Sequence, residues 1–256
     1  MRGSLLVVLC LSLLPGCRSP EPRSPAVVRQ KAAEKAAEPP EPSLFDQLPL
    51  KPEQRKVLAQ LIETARVDFA AYDRTRLLLL DQIVVDVRAG AFDRKKLAPL
   101  IEQTVVEYER ATPRLIHFAN EVHRVLTAAQ RKQLLELWDG DEDEDLSDEE
   151  RRAKEEEELT RVLDLTGSQK TRLFTPLLGI YFEYYGPIGD FRRSWKEAKE
   201  AFLKDTFDAQ QLQFFTALPL RTLASAAFDA AEAGLAVLEP AQRETLAVTI
   251  ETDWRD

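Results

Sequence analysis

From residue 44 onward, apolar side chains recur at three- and four-residue intervals. Val57, Leu58, Leu61, Ile62, Ala65, Phe69, Leu77, Leu80, Ile83, Val84 and Val87 trace one stripe, the spacing of a helix that buries one face. Gly90 breaks the run, and Phe92-Asp93 opens the next helix with Asp93 as its N-cap. A continuous helix from about Pro52 to Arg88 would be on the order of 55 Å long, which predicts an elongated helical layer. The apolar excess at Leu77, Leu78, Leu79, Leu80, Ile83, Val84, Val85 and Val87 is too broad for one stripe. It predicts burial on two sides, against another part of the chain or against another chain.

The chain also resembles itself. Leu126-Thr127-Ala128-Ala129-Gln130 and Leu165-Thr166-Gly167-Ser168-Gln169 share the pattern L-T-x-x-Q. Two weaker copies, Leu50-Lys51-Pro52-Glu53-Gln54 and Leu238-Glu239-Pro240-Ala241-Gln242, keep the Leu and the Gln. A basic residue follows each copy (Arg55, Arg131, Lys170, Arg243), with a Leu three positions further on (Leu58, Leu134, Leu173, Leu246). Ala91-Phe92-Asp93 and Thr206-Phe207-Asp208 lie between the copies. Leu50 to Phe92 and Leu165 to Phe207 are both 42 positions, which predicts a tandem duplication of one helical module.

T-x-x-Q is a capping box: the hydroxyl accepts from the N3 amide, and the Gln side chain accepts from the N-cap amide. Where Thr is missing, Pro52 and Pro240 occupy the first helical position, which Pro tolerates. All four copies therefore read as helix starts, and by themselves they require nothing more than capped helices. The expected fold is all-α: two tandem elongated modules of long helical hairpins with short flanking capped helices. The modules span 46–138 and 160–253, joined by an acidic linker at 139–159.

The order of motif, long helix, short Phe-Asp break, second long helix, motif and short helix resembles the Spy/CpxP family of periplasmic proteins. The resemblance covers about residues 46–138 and, more weakly, 160–252. It implies an all-helical, elongated fold, and either ATP-independent chaperone activity toward unfolded or stressed envelope proteins or a regulatory role in envelope-stress signalling. Some members bind zinc. Members often pair as antiparallel dimers, so two modules in one chain would pack against each other as a pseudo-dimer. The chain departs from the family pattern in being duplicated. Its second half also carries Pro176, Gly179, Gly186, Pro187 and Gly189, which should kink or split the helix there.

The N-terminal residues predict an address. A basic Met1-Arg2 start and an apolar run from Leu5 to Leu14 are too short to span a bilayer and suit a signal peptide over 1–16. Leu14-Pro15-Gly16-Cys17 resembles a bacterial lipobox, which implies lipidation of Cys17. Without Asp after the Cys, that resemblance implies an outer-membrane anchor facing the periplasm. An ordinary signal peptide cleaved near Gly16 is the alternative. Residues 17–45, with Pro20, Pro22, Pro25, Pro39, Pro40 and Pro42, read as a Pro-rich tether.

Charge sharpens the picture in one place. The chain carries a formal −9, but the stretch 139–159 alone holds 13 acids against 3 bases. The remainder is nearly neutral and shows no basic face, which argues against nucleic acid as a partner. Asp139, Asp141, Asp143 and Glu150 match calcium-loop positions, yet Glu144 stands where the loop needs Gly, so the stretch reads as a solvated linker leading into a helix.

The remaining candidates are few. Tyr181, Phe182, Tyr184, Tyr185, Phe191 and Trp195 crowd together and read either as a client-binding patch or as rings packed beside the broken helix. His117 and His123 are six apart and lie on different helix faces, and His117 with Glu121 offers two ligands at most. No metal site or cofactor is expected. With no nucleophile elbow, phosphate loop or H-E-x-x-H, no enzyme is expected either.

Overall fold

The computed structural model describes residues 44–139, 148–216 and 220–253. The expected signal peptide, Cys17 and nearly all of the tether lie outside these residues, as does most of the calcium-loop match. The protein is all-α: 86% of the described residues are helical and none is in a strand.

After a short 3-10 turn at Leu44–Gln47, α1 runs from Pro52 to Ala89. Pro at its first position and no internal Gly or Pro let it continue for 38 residues, about 57 Å. Gly90 ends it in the left-handed region at φ 79°, its amide donating to the Asp86 and Val87 carbonyls. Asp86 then clamps the turn, accepting from the Asp93 amide at 2.9 Å and from Gln82 Nε2 at 2.7 Å. Asp93 caps α2 (Arg94–Val125) by accepting from the Lys96 amide, and α2 folds back along α1. Pro99 and Pro113 lie inside α2, both on its exposed side, where water can satisfy the carbonyls they leave unbonded.

The chain continues through α3 (Ala128–Asp139), α4 (Asp148–Val162), α5 (Gly167–Glu183) and α6 (Tyr185–Leu203). A 3-10 turn at Ala209–Gln211 and the short α7 (Gln213–Thr216) lead to α8 (Leu220–Leu235) and α9 (Pro240–Asp253). The stretch 139–159, read from its charge as a linker, is thus helical from Asp148 onward. Ala, Glu, Lys and Arg are good helix formers, and α4 reaches the core through Leu159 and Val162 near its end. The expected split in the second half falls at Tyr184, between α5 and α6.

The packing is reciprocal. α9 lies on α1, α3 lies on α6, and α8 packs against both α5 and α2. One core joins Leu79, Leu80, Ile83, Val84, Val87 and Leu97 to Leu165, Leu173, Phe174, Leu177, Ala226 and Ile250. A second, smaller core gathers Leu48, Leu58, Val122, Leu126 and Leu134, with Phe202 of α6 against it. Among the described residues of the chain, the broad apolar excess of α1 is buried on one side only. Leu79, Leu80, Ile83, Val84 and Val87 are buried, while Leu77, Leu78 and Val85 face solvent on the opposite side, where none of the described elements covers them.

Candidate functional site

The four motif copies meet in pairs. Each Gln first serves its own helix: Oε1 accepts from the amides of Lys51, Thr127, Thr166 and Glu239 at 2.9–3.0 Å. Thr127 and Thr166 complete the box by accepting from the amides of Gln130 and Gln169. At Lys51 and Glu239 the Gln half of the box forms, and Lys51, whose ammonium has no acceptor, makes no side-chain cap bond.

Capping uses only the carboxamide oxygen, and the amide nitrogen does the second job. Gln54 Nε2 donates to the Val125 carbonyl at 2.7 Å and to Gln130 Oε1 at 2.9 Å, while Gln130 Nε2 donates to the Pro49 carbonyl at 2.8 Å. In the second pair, Gln169 Nε2 donates to Gln242 Oε1 at 2.7 Å and to the Val237 carbonyl. Gln242 Nε2 donates to the Leu163 carbonyl at 2.9 Å. Gln130 and Gln169 are each only 7% exposed, so these bonds form away from competing water. Leu126, Leu165 and Leu238 are buried beneath the pairs, Leu50 is half-buried, and Thr127 and Thr166 are exposed.

Each pair faces a turn from the other part of the chain. Arg131 Nη1 donates back to the Leu126 carbonyl at 3.0 Å, and Nη2 reaches the Lys204 carbonyl at 3.3 Å and Asp205 at 3.5 Å. Arg243 Nη1 donates to the Leu238 carbonyl, and its guanidinium lies so close to Gly90 that a Cβ there would meet Nη1 at 2.6 Å. The positive φ requires glycine at position 90, and any side chain there would also displace the Arg243 guanidinium.

Around the Lys204 turn, His123 is buried. Its Nε2 bonds the Lys204 carbonyl at 2.9 Å, and its ring stacks on Phe207 with centroids 5.0 Å apart. The Ala209 amide donates to Asn120 Oδ1 at 2.9 Å, and Asp208 caps the 3-10 turn as Asp93 caps α2. Phe92 makes the matching contact at the other end, edge-on to Phe228 at 5.6 Å.

Arginines bridge pairs of carboxylates across the same seam. Arg88 binds Glu244 and Glu251, Arg94 binds Asp229 and Glu232, and Arg221 binds Glu102 and Glu109. Hydrogen bonds donated by Arg88 to Glu251, by Arg94 to Glu232 and by Arg221 to Glu102 raise the three guanidinium pKa values further above their ordinary range. The bond from Arg94 holds Glu232, and the bond from Arg221 holds Glu102, below the usual carboxylate value.

Among the aromatic candidates, Phe191 is buried, and Trp195 is half-buried against Phe214 at 4.8 Å and Trp138 at 6.1 Å. Tyr184 is half-buried and donates to Asp229 Oδ2 at 3.1 Å; burial first, and then this bond, push its phenol above the ordinary value. These three rings are packed rather than presented as a patch. The side chains of Tyr181, Phe182 and Tyr185 lie outside the described set. His117 is exposed, His123 serves the turn, and no group of three or more potential metal ligands occurs among the described residues.

The apolar surface lies elsewhere, on α1. Val67 is 71% exposed, Leu78 48% and Val85 57%, on one face with Ala71 and interleaved with Arg74 and Asp81. The sequence named Leu78 and Val85 but read them as buried. It missed the cross-pairing of the glutamines, although a signal was present. A capping box accepts Glu or Gln equally, and four copies that all use Gln point to a use for the amide protons. No described helix is long and apolar enough to cross a membrane. Compared with models of protein families, with curated proteins and with solved structures, the chain matches none.

Proposed function

We propose that the chain is a lipid-anchored, periplasm-facing helical protein that binds unfolded or stressed envelope proteins without nucleotide hydrolysis. The observation that carries this reading is the solvent-facing strip of α1, where Val67, Leu78 and Val85 stand exposed among Arg74 and Asp81. Such a mixed surface offers apolar contact to an unfolded segment while charges keep it soluble, so binding stays weak and reversible. The strip lies on a helix tied near both ends, by the Gln54–Gln130 pair and by Arg88 to Glu244 and Glu251. It can therefore remain exposed without the fold collapsing over it. The motif copies that carry the Spy/CpxP resemblance supply this scaffold, and the two parts of the chain would stand in for the two subunits of a family dimer.

The test is aggregation of several unrelated unfolded proteins with stoichiometric purified protein. The wild type should slow aggregation, and the triple variant V67S/L78S/V85S, altered only at exposed positions, should lose most of that effect while keeping its helical spectrum. A wild type that protects none of them overturns the reading. One defined envelope partner in a pull-down, with no general protection, would point to a sensor instead.

A further inference from the structure

The arm formed by α5 and α6 is interrupted where α1 is not, and the chemistry at the interruption is specific. Pro187 has no amide to offer the Glu183 carbonyl four residues back, and its ring crowds that carbonyl, so the ladder breaks at Tyr184 (φ −102°, ψ 12°). Gly179, Gly186 and Gly189 flank the break. A Cβ built on any of them meets nothing within 4 Å, and none has a positive φ, so neither packing nor backbone geometry demands glycine there. Each glycine weakens its helix by about 1 kcal/mol relative to alanine with no compensating contact.

Among the described side chains, the two ends of α6 are held by different contacts. At the Tyr184 end one neutral hydroxyl donates to Asp229 Oδ2, and the other oxygen of that carboxylate is held by Arg94 Nη2 at 2.8 Å. At the Lys204 end the carbonyl is taken by both His123 and Arg131, and Phe202 and Phe207 pack edge-to-face beside the His123 ring. Between the ends, Phe191 and Trp195 lie on Phe214.

We propose that α6 is a strap that peels from its Tyr184 end, with the Tyr184–Asp229 bond as the latch and the Lys204 turn as the anchor. Opening separates Phe191 from Phe214 while the anchored end stays in place. The glycines set the ease of opening, and the latch sets its starting point. This device is independent of what the α1 strip binds.

Hydrogen exchange on the full chain, read peptide by peptide, tests it. Tyr184→Phe removes only the latch hydroxyl and should speed exchange over 185–194 by about tenfold, the loss of one hydrogen bond. Exchange over 195–203 and over α1 should change far less. The variant G179A/G186A/G189A should slow exchange over 185–194 instead, and unchanged α1 protection reports that both variants are folded. The proposal is overturned if Tyr184→Phe speeds α1 and both halves of α6 alike, or if neither variant alters 185–194 relative to α1.

Discussion

The two long arms start from the same motif and reach the same Phe-Asp turn after the same 42 positions, yet they are built in opposite ways. α1 has no internal Gly or Pro, packs continuously on α2 and α9, and still leaves an apolar strip in solvent. The α5–α6 arm is broken at Tyr184, turns its aromatic residues Phe174 and Phe191 inward, and leaves open space around three glycines. Two arms with one connectivity can thus divide the work, one rigid and presenting a surface, the other jointed and closing over a core.

Cavity variants give the largest effects and test this contrast most directly. Leu80→Ala, in the core of the rigid arm, should cost about 3 kcal/mol in denaturant unfolding, the usual loss for a fully buried Leu. Phe191→Ala removes a larger buried ring but should cost clearly less. Once α6 peels open in the folded protein, further loss of its contacts no longer counts against global stability. A Phe191→Ala cost of about 4 kcal/mol, the full value for a buried Phe, would mean that both arms are equally rigid.

The glutamine pairs should behave alike where the arms differ. Gln130→Glu and Gln169→Glu each keep the oxygen that caps the helix and lose the amide protons. Each also leaves a carboxylate facing carbonyl oxygens and the partner Gln oxygen. A cost of about 2–3 kcal/mol in each is expected, because buried acceptors are left unpaired. Thermal unfolding of the two variants should shift equally. A large loss at Gln130 with none at Gln169 would show that only the first pair closes its part of the chain.

How much of this was readable beforehand follows from which interactions are local. The four motif helix starts, the Gly90 stop and the Asp93 cap depend on neighbours within four residues, and the sequence placed them, while it bracketed the break only between Pro176 and Gly189. Within the chain α1 is covered on one side only, because periodicity shows which residues could be buried, whereas tertiary partners decide which are. Leu78 and Val85 share the composition of Leu80 and Val84 and differ only in which side α2 and α9 cover. Arg94 and Arg221 were invisible as clamps because their carboxylates lie more than a hundred residues away. His123 was weighed as a ligand when its ring belongs to a turn 81 positions distant.

Filling the glycine positions should produce a smaller change of opposite sign. Gly179→Ala, Gly186→Ala and Gly189→Ala add a methyl into open space on helical backbone, and each should stabilise by about 0.5–1 kcal/mol. Gly90→Ala is the control: there φ is 79°, which alanine adopts only with strain, and the new Cβ would press on the Arg243 guanidinium, so alanine should destabilise. Were all four substitutions to act in the same direction, the looseness assigned to the jointed arm would have no basis.

Acid should act last and least, along the seam between α2 and α8. Hydrogen bonds from Arg94 and Arg221 hold Glu232 and Glu102 below their ordinary value of 4.5, so folding favours the charged form of both. A carboxylate depressed in the folded state contributes stability that is complete above its unfolded pKa and lost as pH falls through the folded one. Stability should therefore be flat from neutrality down to about pH 5 and decline below 4.5, with high salt weakening the same contribution at neutral pH. Both clamps are largely exposed, so the change should stay below every variant effect above. Arg221→Gln should flatten the acid limb of the profile while leaving hydrogen exchange over 185–194 untouched, because it loosens α8 from α2 without touching the latch. If Arg221→Gln also released α6, the seam and the strap would be one cooperative unit, and the contrast between the arms would lie in their surfaces alone.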